Sequence, residues 1–546
     1  MAGTPSAEQL RALAGAWIAD DPDPRSRAEL EALLDALPDA AAVADLADRF
    51  RGPLQFGTAG LRGPLRAGPN GMNRAVVGRA AAGLARYLDD VGAEGPVVVG
   101  YDARHGSHEF ALDTVQIVQG SGRAALLMPR QLPTPVLAFA VGALEAAAGV
   151  MVTASHNPPQ DNGYKVYLGG ASGLNAQIVP PADADISARI AAVTALGQIP
   201  RSDDYQVVGE EVYEKFLQAA ADAVAPGSPR EVSVVSTALH GVGGDTLLAA
   251  FERAGFAAPT PVAHQQRPNP EFPGLAFPNP EEKGVMDDVL ALAAERGADL
   301  AIANDPDADR CAAAAPMRGG WRQLRGDELG VLLADHLMRR GERGTYATTI
   351  VSSSMLGAIC AKRGVPYAAT LTGFKWIVRA PEQTGAPLRF GYEEAIGYAV
   401  DPRSVNDKDG ISAALVTAEL AAALKAEGSS IQQRLDDLYA EFGYYLTSQI
   451  SLRVDDLSII AGTMRRLRDE PPTRIGPWAV AVEDLLPRTD ALVLSGDGLR
   501  VVIRPSGTEP KLKAYLEVTA TSEADAGSQM ATLRSALSLI LVPPTR

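Results

Sequence analysis

The chain has 546 residues, too many for one hydrophobic core, and ordinary domain sizes predict three or four. Apolar content of 46% fits a globular protein, and the net charge of −16, from 50 basic and 66 acidic residues, argues against nucleic acid as the main partner. A small phosphate ligand stays open, because it needs only a local basic pocket. Two cysteines, Cys311 and Cys360, make neither a disulfide framework nor a zinc array and fit a reducing compartment. The start, "MAGTPSAEQLRALAGAW", lacks the basic residues and long apolar run of a signal peptide. The most apolar stretch, 136–152, contains Glu145 and is too short to span a bilayer. The expectation is a cytoplasmic protein without membrane or nucleic-acid partners.

Residues 6–50 carry apolar positions three and four apart, and 1–50 read as an N-terminal helical extension that packs on the first domain. A helix over 74–91 then leads to the strand "PVVVGYD" (96–102), and a helix near 108–119 leads to "RAALLM" (123–128). A further helical stretch ends in "GVMVTAS" (149–155). Strands spaced by helices imply a largely parallel sheet covered on both faces. The pattern restarts at "EVSVVST" (231–237), closing with "ADLAIANDPDADR" (298–310), and again at "YATTIVSS" (346–353), closing with "LRFGYEEAIGY" (388–398). The last hundred residues alternate apolar and polar positions, as antiparallel strands do, before a helix at about 523–541. Polar or Pro-rich breaks fall near 200–208, 316–326 and 440–448. The predicted fold is α/β with four domains: 51–203, 204–318 and 319–443 as similar mixed α/β sheet units, and 444–546 as a C-terminal α+β domain.

Four motifs carry chemistry. "TASHNPPQDNGYKVY" (153–167) places Ser155 on a loop at a strand's C-terminal end, as a nucleophile, a phosphate ligand or a turn residue. "NDPDADRC" (304–311) alternates Asp305, Asp307 and Asp309 after an apolar run, so that several carboxylates point at one hard cation such as Mg²⁺. An EF-hand fails, because the sixth position is Arg310 and the twelfth Pro316. An aspartyl-phosphate nucleophile at Asp305 stays open. "RPSGTEPKLK" (504–513) offers Arg504, Ser506, Gly507, Thr508, Lys511 and Lys513 as a phosphate cradle. "QFGTAGLRG" (55–63), with Thr58 and Arg62, could hold an anion, but it is no P-loop, since no Gly-Lys-Ser/Thr follows. "GYEEAIGY" (391–398) and "LTGFKW" (371–376) are weaker signals. The six histidines form no metal-spaced cluster, and "GVGG" (241–244) is no dinucleotide fingerprint.

In this order, "GTAGLRG", "TASHNPPQDNGYKVY", "DPDADR", "GYEEAIGY" and "RPSGTEP" resemble the α-D-phosphohexomutase superfamily, the phosphoglucomutases and phosphomannomutases, over roughly residues 50–520. "GYDARHGS", "LHGVGG", "FPNPE" and "DKDG" add to the resemblance, and "YEEAIGY" most resembles the phosphoglucomutase-2-like branch. The resemblance implies four domains around a central cleft and a phosphosugar mutase, with a small phosphosugar as partner, acting as a monomer or homodimer. It implies that Ser155 is phosphorylated and passes its phosphoryl group through a bisphosphorylated sugar, with a sugar 1,6-bisphosphate as activator. Asp305, Asp307, Asp309 and a phosphate oxygen on Ser155 would bind Mg²⁺. Arg62 and Lys165 would lie at the transferring phosphate, with Lys165 the general acid or base and His156 and Lys375 in reserve. Thr58, Arg310, Arg504, Ser506, Gly507, Thr508 and Lys513 would contact the substrate's phosphates. Glu393, Glu394 and Lys375 would contact its sugar. The last domain must release the turning intermediate, which predicts a hinge near 440–448.

One departure is Ala395, where many hexose enzymes of this superfamily carry serine. Glucose 1-phosphate is the expected substrate, with mannose or pentose 1-phosphates as alternatives. Competing readings are a phosphatase using Asp305, a sugar-bisphosphate synthase, and a phosphosugar-binding regulator.

Overall fold

The computed structural model describes residues 5–58, 60–454, 456–506 and 511–541. The chain divides into two compact units, Met1–Gln323 with Gly397–Glu427, and Leu324–Ile396 with Gly428–Arg546.

The first unit opens with three helices, Ala7–Asp20, Pro24–Asp35 and Ala40–Arg49, started by side-chain caps from Ser6, Asp23 and Asp39. They share a small core of Leu10, Ala14, Leu30 and Leu46. They dock on the following domain: Trp17 packs against its core, and Asp20 bonds Arg79 at 2.7 Å and the Leu196 amide at 2.8 Å.

The first sheet runs in the order 61–64, 161–168, 148–152, 97–101, 125–127, 206–207. Its central strands are parallel and buried throughout, as their unbroken apolar runs require. Asp161–Leu168 then returns antiparallel to Ala148–Val152, so the serine loop joins a parallel strand to an antiparallel one. The second sheet repeats this device. Leu300–Ala303 is parallel to Val234–Thr237 and antiparallel to Ala312–Met317, and the triple-aspartate loop makes the connection. Both loops thus leave the carboxyl end of a parallel strand, the edge where open α/β sheets hold ligands.

The segment Gly397–Glu427 belongs to this unit rather than to its chain neighbours. Asp409 caps its helix Gly410–Ala426 by accepting from the amides of Ile411 and Ser412. Fourteen of that helix's residues are buried, as its nearly uniform apolar sequence dictates. A Cβ on Gly410 would lie 2.2 Å from the Arg310 carbonyl oxygen and 2.7 Å from that of Ala308.

In the second unit, Tyr367–Thr370, Thr345–Thr349 and Leu388–Glu393 form parallel neighbours. Asp335 ties the surrounding helices Gly326–Arg339, Met355–Arg363 and Ile431–Phe442 together through Arg363 at 2.7 Å and Arg434 at 2.6 Å. The C-terminal sheet is antiparallel throughout, in the order 444–453, 511–520, 499–505, 492–496, 481–484. Its helix Glu523–Leu541 buries Met530, Leu533, Leu537 and Leu541.

All three breaks read from the sequence hold ordered structure. Residues 200–208 contain the strand Gln206–Val207, 316–326 contain the turn and second strand of the hairpin of Ala312–Met317 with Gly320–Gln323, and 440–448 contains a helix end and the start of strand Tyr444–Arg453. Polar composition marked the turns there, not the strands beside them. Among the described residues no helix is long and apolar enough to cross a membrane.

Gly410→Ala drives a methyl group into two backbone carbonyls and should lower stability by about 2 kcal/mol or more, read from the shift of the denaturant midpoint at unchanged m.

Candidate active site

Ser155 is 3% exposed and sits at φ +53°, a conformation that a non-glycine residue keeps only when its surroundings enforce it. Arg104 enforces it. The guanidinium donates to the carbonyl oxygens of Ser155 and Asn157, both at 2.6 Å, of Pro158 at 2.8 Å and of Asp161 at 3.1 Å. It lies 4.9 Å over the Phe272 ring and is itself paired with Asp102. The Ser155 amide donates to Thr153 Oγ1 at 2.9 Å. The hydroxyl is thereby aimed at Asp305 Oδ2, 2.8 Å away, with His156 Nδ1 at 3.1 Å.

Asp305, Asp307 and Asp309 are fully buried, and one oxygen of each lies within 4.8 Å of the others. Three buried carboxylates this close repel strongly unless compensated. Lys165 Nζ donates to Asp307 at 2.7 Å and Asp309 at 2.9 Å, and Lys408 Nζ lies 3.4 Å from Asp309. Arg310 donates its amide to Asp305 at 3.1 Å and flanks Asp305 and Asp309 with its guanidinium. Thr134 donates its hydroxyl to Asp307 at 2.5 Å.

The charges respond to these neighbours. Burial, then Asp307 and Asp309, push the Asp305 carboxyl well above the ordinary range. Burial opposes ionisation of Asp309, yet Lys165, Lys408 and Arg310 together hold it well below the usual range. Burial also opposes the charge of Lys165, but Asp307 and Asp309 outweigh it and raise the ammonium pKa. Desolvation, joined by Arg310 and Arg62, pushes His156 well below its usual value, so its imidazole is neutral at pH 7.

The site fits a hard divalent cation. Its donors are all oxygen, and among the described residues the buried Asp307 Oδ1 and Asp309 Oδ1 accept no hydrogen bond. Asp305, Asp307 and Asp309 would hold the cation beside Ser155 Oγ.

Within this unit the fold brings Ser155, His156, Lys165, Asp305, Asp307, Asp309 and Arg310 together. Arg62 joins the serine loop by donating to Asn157 at 3.3 Å. Thr58 lies in the turn before that strand, inside the Gly57–Gly60 bridge.

The other predicted residues lie in the second unit. Lys375, in the short helix Phe374–Ile377, comes after strand Tyr367–Thr370, and Glu393 and Glu394 stand at the end of strand Leu388–Glu393; these two parallel strands flank Thr345–Thr349, so the three residues lie at the same sheet edge. Glu394 accepts hydrogen bonds from Ser352 at 3.1 Å and Thr349 at 3.3 Å. Arg504 and Lys513 face each other across a strand pair, a placement of like charges that an anion would relieve. The Ser506 amide donates to the Lys511 carbonyl oxygen at 2.8 Å. Gly507 and Thr508 lie outside the described residues.

Three residues at the site carried no assigned role in the sequence reading. Arg104 and Lys408 stand inside "GYDARHGS" and "DKDG", segments that marked the resemblance without revealing what they contact. Thr134, between two prolines, gives no sequence signal.

Comparison with known proteins agrees over most of the chain. Family models described as Phosphoglucomutase/phosphomannomutase match as alpha/beta/alpha domain I at residues 53–196, domain II at 211–318 and domain III at 325–442, and as the C-terminal domain at 480–534. A protein of Haemophilus influenzae named a probable phosphomannomutase is 45% identical over 471 residues, 84% of this chain and 96% of its own. The phosphopentomutase of Mus musculus is 34% identical over 533 residues, 86% of this chain and 84% of its own. The crystal structure of a phosphoglucomutase/phosphomannomutase family protein from Burkholderia thailandensis has the same fold, with a TM-score of 0.70 at 19% identity, over 90% of this chain and 98% of that one.

Arg104→Met strands four carbonyl oxygens that now accept charge-assisted bonds. It should cost about 3 kcal/mol or more, read by denaturant unfolding.

Proposed function

Because the chain belongs to the phosphoglucomutase/phosphomannomutase family and is an isomerase of the phosphosugar mutase type, we propose that it is a Mg²⁺-dependent enzyme interconverting glucose 1-phosphate and glucose 6-phosphate, with mannose and pentose 1-phosphates as further substrates. The observation that carries this reading is the Ser155 hydroxyl, held 2.8 Å from a buried carboxylate triad. Phosphoryl transfer needs in-line placement and positive potential more than covalent help. The braced Ser155 supplies the first, and Arg62, Lys165, Lys408 and Arg310 supply the second.

Mg²⁺ held by Asp305, Asp307 and Asp309 would neutralise charge on the phosphoryl group in flight. When a sugar bisphosphate phosphorylates Ser155, the serine proton passes to the neutral His156, and charged Lys165 protonates the departing sugar oxygen. In the return step neutral Lys165 takes the proton of the attacking sugar hydroxyl, and His156 restores the proton to Ser155. Glu393, Glu394 and Lys375 hold the sugar, and Arg504, Ser506, Gly507, Thr508 and Lys513 its second phosphate. A sugar 1,6-bisphosphate is the activator because it resets any enzyme that has lost its phosphoryl group. Ala395 removes one hydroxyl from the sugar loop, which supports a broader choice of sugar, and relatives named for mannose and pentose phosphates support it too. The two buried free cysteines support a cytoplasmic site of action.

³¹P NMR of the protein with Mg²⁺, a trace of glucose 1,6-bisphosphate and each sugar 1-phosphate should show conversion to the terminal phosphate without inorganic phosphate. Ser155→Ala should abolish it, as should chelation of the metal until Mg²⁺ is restored. Inorganic phosphate release that survives Ser155→Ala would replace this reading with an Asp305 phosphatase.

A further inference from the structure

The C-terminal sheet carries a cross-strand row of Thr447, Glu517 and Arg500, in register on three neighbouring strands. Two of these side chains grip the segment after strand Thr345–Thr349. Arg500 donates to the Ile350 carbonyl oxygen at 2.7 Å and to that of Ser352. Glu517 is 4% exposed and accepts from the Ser354 amide at 2.8 Å and hydroxyl at 2.6 Å, while pairing with Arg500 at 3.3 Å. Between these contacts Val351 is buried with Leu485, Val502 and Tyr515.

The gripped segment continues to the sugar loop. Ser352 Oγ donates to the Glu394 carboxylate at 3.1 Å and accepts from the Glu394 amide at 3.3 Å. A second bridge runs beside it. Thr447 donates to Asp327 at 2.8 Å, and the same carboxylate accepts at 3.1 Å from Tyr392, two residues before Glu394 on the chain. Both bridges start on the C-terminal sheet and end on the loop predicted to hold the sugar.

We propose that Arg500 and Glu517 are positioning residues that set sugar recognition at Glu394 through the Ser352 hydroxyl. The proposal rests on the mutase reading above. Buried hydrogen bonds hold Ser352 in one place, and Ser352 holds the Glu394 carboxylate in one direction. A carboxylate fixed in advance binds sugar hydroxyls without first losing rotamer freedom. Loosening the C-terminal sheet from the segment 350–354 frees that carboxylate from Ser352 and leaves it only the longer bond from Thr349 at 3.3 Å among the hydrogen bonds described above. The grip on the sugar therefore follows the docking of the domain that carries Arg504.

The test is steady-state kinetics of Arg500→Met, Arg500→Lys, Ser352→Ala and the Arg500→Met/Ser352→Ala double variant on glucose and ribose 1-phosphates, with thermal melts as a check on folding. Ser352→Ala removes only the hydroxyl, so the carbonyl oxygen that Arg500 grips remains. Each methionine or alanine variant should raise KM about tenfold with kcat nearly unchanged, which is the signature of binding lost equally from the ground and transition states. Arg500→Lys should recover part of the loss. In the Ser352→Ala background, Arg500→Met should add less than about twofold, because both act on one carboxylate. Unchanged KM in Ser352→Ala, or fully additive effects, would overturn the proposal whatever the fate of the Arg500 variants. No turnover by the wild-type protein would overturn the mutase reading and this proposal with it, whereas wild-type turnover with unaltered KM in the variants overturns the positioning role alone.

Discussion

Three carboxylates buried within 4.8 Å of one another set the terms for the first unit. Alone they would not stay ionised. Three cations compensate them: Lys165 from the first sheet, Arg310 from their own loop, and Lys408 from a segment almost a hundred residues further on. The compensation is incomplete, because two carboxylate oxygens accept no hydrogen bond among the described residues. That residual negative charge is what a divalent cation would find.

The constraint reaches into the backbone. Lys408 arrives only because Gly397–Glu427 packs with the first unit, and Gly410 is the point where its helix touches the aspartate loop too closely for any side chain. Asp407, beside Lys408, accepts from Tyr167 and Gln177, both at 2.8 Å, and pins this segment to the first sheet. On the other flank Thr134 ties the first domain to Asp307. The serine loop is held by a different device, one arginine donating to four carbonyl oxygens, which keeps Ser155 in its left-handed conformation without spending a residue of the motif itself.

Much of this was legible in the sequence. The helix Arg74–Asp90, the buried strands Val97–Tyr101 and Ala148–Val152 and the final helix Glu523–Leu541 fell where periodicity placed them, because each has either a regular apolar face or an unbroken apolar run. Ser155 and the three aspartates announced themselves by spacing on loops after apolar strands. Less legible were residues whose partners are backbone atoms or distant in the chain. Arg104 binds carbonyl oxygens, which leave no trace in residue identity. Lys408 depends on a segment crossing to another unit, and periodicity carries no information about which unit a buried helix joins. The hairpin at 312–323 was hidden because its turn residues outweighed two short strands.

On the proposed mechanism the braced Ser155 hydroxyl, and not a carboxylate, carries the phosphoryl group. Mapping the phosphorylated residue by peptide mass spectrometry, after brief reaction with glucose 1,6-bisphosphate and Mg²⁺ and an acid quench, tests it most directly. The expected result is one phosphoryl group on Ser155, lost on adding excess glucose 1-phosphate. A hydroxylamine-sensitive group on Asp305, or no covalent phosphate while turnover proceeds, would contradict it.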